Sequence, residues 1–116
     1  MNKVEYRIDS KIIKQLSLYL MLHGINDFNL SFASNSKDVT FTLTSKLFTE
    51  KIIKEMKEKL SRKREIEVEV YGWELLGDTD TKNQLDILGA LIDEVEVKKE
   101  NDQFVIFLKR KYKYNK

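Results

Sequence analysis

Apolar side chains recur along this chain with two different periods. Ile12, Ile13, Leu16, Tyr19 and Leu20 return every three or four positions, the spacing of one face of an α-helix. Ser10 can cap that helix, and Gly24 is a natural stop because glycine enters the left-handed conformation without Cβ strain. From Phe28 the period shortens to two. Phe28, Leu30 and Phe32 alternate with Asn29 and Ser31; after the polar cluster SNSKD, Val39, Phe41 and Leu43 alternate with Thr40, Thr42 and Thr44. This pattern predicts a β-hairpin with one apolar and one polar face.

A second helical stripe follows in Phe48, Ile52, Ile53, Met56 and Leu60. Glu50 with Lys54 and Glu55 with Lys59 are spaced to support its wet face. The stretch REIEVEVYGWELLGD reads two ways. Ile66, Val68 and Val70 alternate like a strand, whereas Ile66, Val70, Trp73 and Leu76 form a helical stripe that Gly77 would end. The helical reading is slightly preferred. DTDT then offers a turn and an N-cap to a helix carrying Leu85, Leu88, Leu91 and Ile92. Val95 and Val97 begin a strand, KENDQ turns, and Phe104 to Leu108 returns. That returning strand is apolar on both faces, as a strand inside a sheet would be.

The expected fold is therefore α+β, a two-layer sandwich of helices on a mainly antiparallel sheet of about four strands. The 116 residues suit one domain, taken as residues 1–111 with a basic tail at 112–116.

Charge changes the picture little. The chain holds 21 basic and 19 acidic residues, and a net charge of +2 is too small to argue for nucleic acid by itself. It has no cysteine, which excludes disulfides, Cys-ligated zinc and thiol nucleophiles. The apolar run LSLYLML follows a basic stretch as in a signal peptide, but Glu5 and Asp9 interrupt the basic region and no small-residue cleavage site follows. No run approaches the length of a membrane span. A cytoplasmic protein is expected, with no membrane partner.

Candidate chemistry is sparse. His23 is the sole histidine and is placed to meet the last carbonyls of its helix. GDTDTKN lacks both the sixth-position glycine and the twelfth-position carboxylate of a calcium loop, and reads as a capping turn. Asp93, Glu94 and Glu96 read as a solvated acidic run. In KRKYKYNK, Lys109, Arg110, Lys111 and Lys113 with interleaved tyrosines suit phosphate contact and base stacking. Tyr71 and Trp73, if exposed, are good anchors for a protein partner.

Two segments carry a family likeness. LYLMLHGINDFNLSFASNSKDVTFTL has a helix ending in His-Gly that leads into a hairpin, and LGALIDEVEVKKENDQFVIFLKR has a glycine-containing helix, a strand opening near Asp-Glu-Val, a turn and a final strand. Together they resemble the histidine-kinase-type (GHKL) ATPase domain, in particular anti-sigma-factor kinases. The resemblance implies a water-activating glutamate on the first helix and a magnesium-holding asparagine four residues on. Those positions fall on Gln15 and Tyr19 here, and neither side chain can serve. The family's adenine-reading Asp-x-Gly-x-Gly is replaced by TSKLFTE, and its phosphate-cradling loop is reduced to Gly89. What the resemblance implies is a degenerate member, without cofactor, metal or catalytic residue. It would act by binding another protein or a second copy of itself; the alternative is a nucleic-acid-binding module using the basic tail.

Overall fold

The computed structural model describes residues 3–61 and 84–113. The first helix, α1, spans Lys3–Leu22. It starts two turns before the expected cap, so Ser10 lies mid-helix and its hydroxyl donates to the Arg7 carbonyl at 2.9 Å. The reason lies on the inward face, where Ile8, Ile12, Leu16 and Leu20 are joined by buried Glu5 and Asp9. Two carboxylates on a buried face disguise an otherwise regular stripe.

The helix ends as expected. Gly24 takes φ +81°, Ile25 N–H donates to Leu20 C=O at 2.9 Å, and Gly24 N–H donates to Met21 C=O at 3.1 Å. This pair of bonds is a Schellman cap, closed by apolar packing between Leu20 and Ile25 in the core.

The hairpin forms from β1 (Asn29–Ser34) and β2 (Asp38–Ser45). At its turn the Asn35 side-chain oxygen accepts from Lys37 N–H at 2.7 Å and from Asp38 N–H at 2.9 Å. Along β2 buried and half-buried residues alternate without a break. At the far end, Ser45 Oγ donates to the Asp27 carbonyl and accepts from Leu47 N–H, tying the two strands' outer ends together.

Next comes α2 (Glu50–Leu60), capped by Thr49, whose hydroxyl accepts from Ile52 N–H. Phe48 and Ile53 both enter the core on either side of that cap, in the positions of a hydrophobic staple. Farther along the chain, α3 (Gln84–Leu91) buries Leu85, Leu88, Ala90 and Leu91 and contacts both α1 and α2. Then β3 (Glu94–Glu100) and β4 (Gln103–Lys111) pair through a two-residue turn, Asn101 and Asp102, both at positive φ. That is the turn type whose twist matches a hairpin, and Asn and Asp tolerate it.

The four strands form one antiparallel sheet in the order β1-β2-β4-β3. The doubly apolar strand β4 is central, as expected. Val39, Phe41, Leu43, Ile106 and Leu108 join the buried helical stripes in a single core, while Thr40, Thr42, Phe107 and Lys109 face the other way. Thus the fold is α+β, with helices packed on one face of a four-stranded antiparallel sheet.

The tail boundary needs correction. Tyr112 is buried against the core, its N–H donates to the Lys37 carbonyl at 2.8 Å, and Lys113 N–H donates to Glu5 Oε2 at 2.8 Å. The parity that points Leu108 inward also points Arg110 and Tyr112 inward, so the domain includes residues 112 and 113. Among the described residues, no helix is long and apolar enough to cross a membrane.

Candidate functional site

Arg110 stands opposite Val39 in the β2–β4 register, on the core face of the sheet. Its side chain is wholly buried; Nε donates to Glu5 Oε1 at 3.0 Å and Nη1 to the Leu91 carbonyl at 3.0 Å. It therefore joins α1, the end of α3 and the sheet. This corrects its assignment as a nucleic-acid contact, because an enclosed guanidinium has no reach to phosphate. The signal that could have found it is the inward alternation Ile106, Leu108, Arg110.

Beside that pair, Tyr112 Oη donates to Asp9 Oδ2 at 2.5 Å. Burial pushes the Asp9 carboxyl up to about 6; the Tyr112 bond opposes this, Glu5 adds to it and Arg110 opposes it. The Tyr112 hydroxyl is raised as well, first by burial and then by the Asp9 carboxylate. Asp9 Oδ1 is buried without a hydrogen-bond partner. These four side chains form a polar seam between α1 and the end of β4.

The other three basic residues of that stretch differ from Arg110. Lys109 lies on the outer face and pairs with Asp38 at 3.5 Å, while Lys111 and Lys113 are exposed. Lys111 N–H donates to Asp93 Oδ2 at 2.6 Å, so Asp93 anchors the sheet rather than joining a purely solvated acidic run.

At the opposite end of α1, His23 Nδ1 lies 2.9 Å from the Tyr19 carbonyl, as the helix-end reading expects, and its ring packs on Tyr19 with centroids 4.1 Å apart. The i, i+4 spacing predicts a pair between Glu55 and Lys59 along their own helix. Instead Glu55 faces α1, 4.0 Å from His23 Nε2 and close enough to Tyr19 to help raise that phenol's pKa, which burial raises most. The Tyr19 hydroxyl nevertheless has no well-formed hydrogen bond, so this is proximity rather than a catalytic dyad.

Gln15 is buried within α1's inward face, and Tyr19 is half-buried beside it. Gly89 is enclosed where α2 meets α3: a methyl group there would lie 2.3 Å from the Lys59 carbonyl oxygen. Its lack of a side chain is used for close helix approach. Among the described residues, no group of three or more His, Cys, Asp or Glu side chains could hold a metal ion. A shallow cleft of about 280 Å³ opens on the outer sheet face, lined by Thr40, Glu94, Glu96, Lys98, Phe107 and Lys109. Three of its four charges are already paired, Lys98 and Glu96 with each other at 3.2 Å and Lys109 with Asp38.

Tyr71 and Trp73, and the helix-or-strand choice for residues 64–76, lie outside the described residues. Comparison with family models, with curated proteins and with solved structures found no match.

Proposed function

We propose that this chain is a non-catalytic interaction domain that binds another protein, on a histidine-kinase-type ATPase plan that has lost its nucleotide chemistry. One observation carries the reading. Tyr6, Met21, Leu22, Phe32 and Leu47 are each 41–60% exposed, large apolar side chains of the kind that a partner's surface covers. The element order helix, hairpin, helices, strand pair supports the family plan. Gln15 in the interior and Gly89 at a helix crossing support the loss of chemistry, since neither position is arranged to meet a phosphate or its magnesium ion. A cytoplasmic setting, with its reducing conditions, suits a chain without cysteine.

The test is affinity capture with two baits, the native chain and a Met21→Ser/Leu22→Gln/Phe32→Thr variant, each first shown to melt cooperatively. A protein captured at stoichiometric yield by the first and lost from the second is the expected result. Equal capture by both, or binding only of adenine nucleotide, would overturn the reading.

A further inference from the structure

We propose that the open edge of β1 pairs, about a two-fold axis, with β1 of a second copy of this chain. The proposal rests on the interaction-domain reading and names a partner for it. Among the described residues the sheet has two edges, β1 and β3. They differ sharply in chemistry. In β3, Glu94, Glu96, Lys98, Lys99 and Glu100 are charged, five of seven positions. Charge on an edge strand is a common way to prevent sheet-to-sheet pairing. In β1, NLSFAS, no position is charged. Like charges oppose one another in many two-fold strand pairs, so an uncharged edge suits self-pairing.

The backbone is also presented correctly. Asn35 N–H donates to Asp38 C=O at 3.0 Å, which makes residues 35 and 38 a hydrogen-bonded pair. The two pair types alternate along the register from Ser34↔Val39 to Asn29↔Thr44. Leu30, Phe32 and Ser34 therefore direct their N–H and C=O groups away from β2, towards the open edge. Their side chains share the core face with Leu43, Phe41 and Val39, yet Phe32 is 43% exposed.

An antiparallel pair centred on Ser31 sets Leu30 of each copy opposite Phe32 of the other, both in hydrogen-bonded pairs. It also sets Phe28 opposite Ser34 of the other copy. Leu30 and Phe32, half-buried and exposed in the single copy, thus find apolar neighbours in one register. A strand of six residues gives a small interface, so the dimer forms and dissociates with concentration.

The chain has no cysteine, so Ser31→Cys supplies a single thiol at the axis. Residues facing one another in a non-hydrogen-bonded pair have Cα atoms about 4.5 Å apart, within reach of a disulfide. Mild oxidation of S31C should give a rapid covalent dimer, and Ser36→Cys in the turn should cross-link far more slowly. Sedimentation velocity from low micromolar to near-millimolar concentration should show a monomer–dimer equilibrium. Ser31→Lys, on the exposed outer face, should abolish it while the melting temperature of the dilute protein is retained. A monomer at every concentration, a dimer that survives S31K, or equal cross-linking of S31C and S36C would overturn the proposal. A monomer that still captures a different protein would leave the interaction-domain reading intact.

Discussion

Arg110 Nε donates to Glu5 Oε1 at 3.0 Å, joining the first turn of α1 to the central strand, with both side chains fully enclosed. Breaking a buried pair from one side leaves an uncompensated charge, which costs about 3–5 kcal/mol. Arg110→Met and Glu5→Leu should each lower the unfolding free energy, read from urea denaturation, by that amount. The double variant Glu5→Leu/Arg110→Met should be more stable than either single. Additive losses in that cycle would show that the two side chains do not act as a pair.

Removal of residues from Tyr112 onward should destabilise the domain. It strips the core of the Tyr112 ring, leaves Asp9 without its donor, and takes the Lys113 N–H from Glu5. Tyr112→Phe isolates one part of this, and loss of a single partner of a buried acceptor costs about 1–3 kcal/mol. Chemical denaturation of both variants checks the order, with the truncation the weaker fold.

Stability should rise as pH falls from 7.5 to 5.5. The Asp9 carboxyl is raised from 3.8 to about 6, so the folded chain holds a proton that the unfolded chain has released. The contribution is fully present below the unfolded value and is lost as pH rises through about 6. Over this window it amounts to roughly 1 kcal/mol at most, a few degrees in melting temperature. Asp9→Asn should remove that part of the slope. Identical pH profiles for the two proteins would place the titration elsewhere.

Gly89→Ala should destabilise, against the helix propensities of the two residues. The added methyl meets a backbone carbonyl oxygen, which has little freedom to move away. Overpacking of this kind costs typically about 1–3 kcal/mol. A more stable variant would mean that α2 and α3 part easily.

Adenine nucleotide should leave the fold unmoved. A site saturated at about 100 times its dissociation constant stabilises by about 2.7 kcal/mol, which lifts the midpoint of a domain this size by about 10 °C or more. Melts with magnesium and millimolar ATP, against sodium chloride at matched ionic strength, should agree within about 1 °C. A saturable rise specific to adenine nucleotide would restore the site.

The element order could be read from the sequence because side-chain period tracks burial closely in β2, α2 and β4. It failed where polar residues occupy the inward face. Ser10 reads as the helix cap, which leaves Glu5 and Asp9 outside the helix, and Arg110 reads as one of a basic run suited to phosphate. Each is inward-facing by parity or helical phase, but a charge is read as exposed unless its partner is known. Those partners are about a hundred residues distant in sequence, beyond the reach of any local pattern. Gly89 reads as the remnant of a phosphate-cradling loop, whereas its role depends on a carbonyl in another helix. The exposed edge of β1 was equally hidden, since alternation predicts which face is apolar but not which strand lies outermost.

Placing β4 between β2 and β3 also sets an order of assembly. The hairpin of β1 and β2 precedes β4 by more than fifty residues, and among the described strands it has no neighbour until β4 arrives. The carboxylates of α1 likewise wait for Arg110 and Tyr112. A chain emerging from the ribosome can therefore form α1 and the first hairpin early, but it cannot close its core until β4 inserts. Such long-range closure is slow and nearly all-or-none. During that interval β2 as well as β1 is an open edge, and the hairpin's apolar face is uncovered. For this protein, the time of greatest exposure to unwanted strand pairing is its own synthesis.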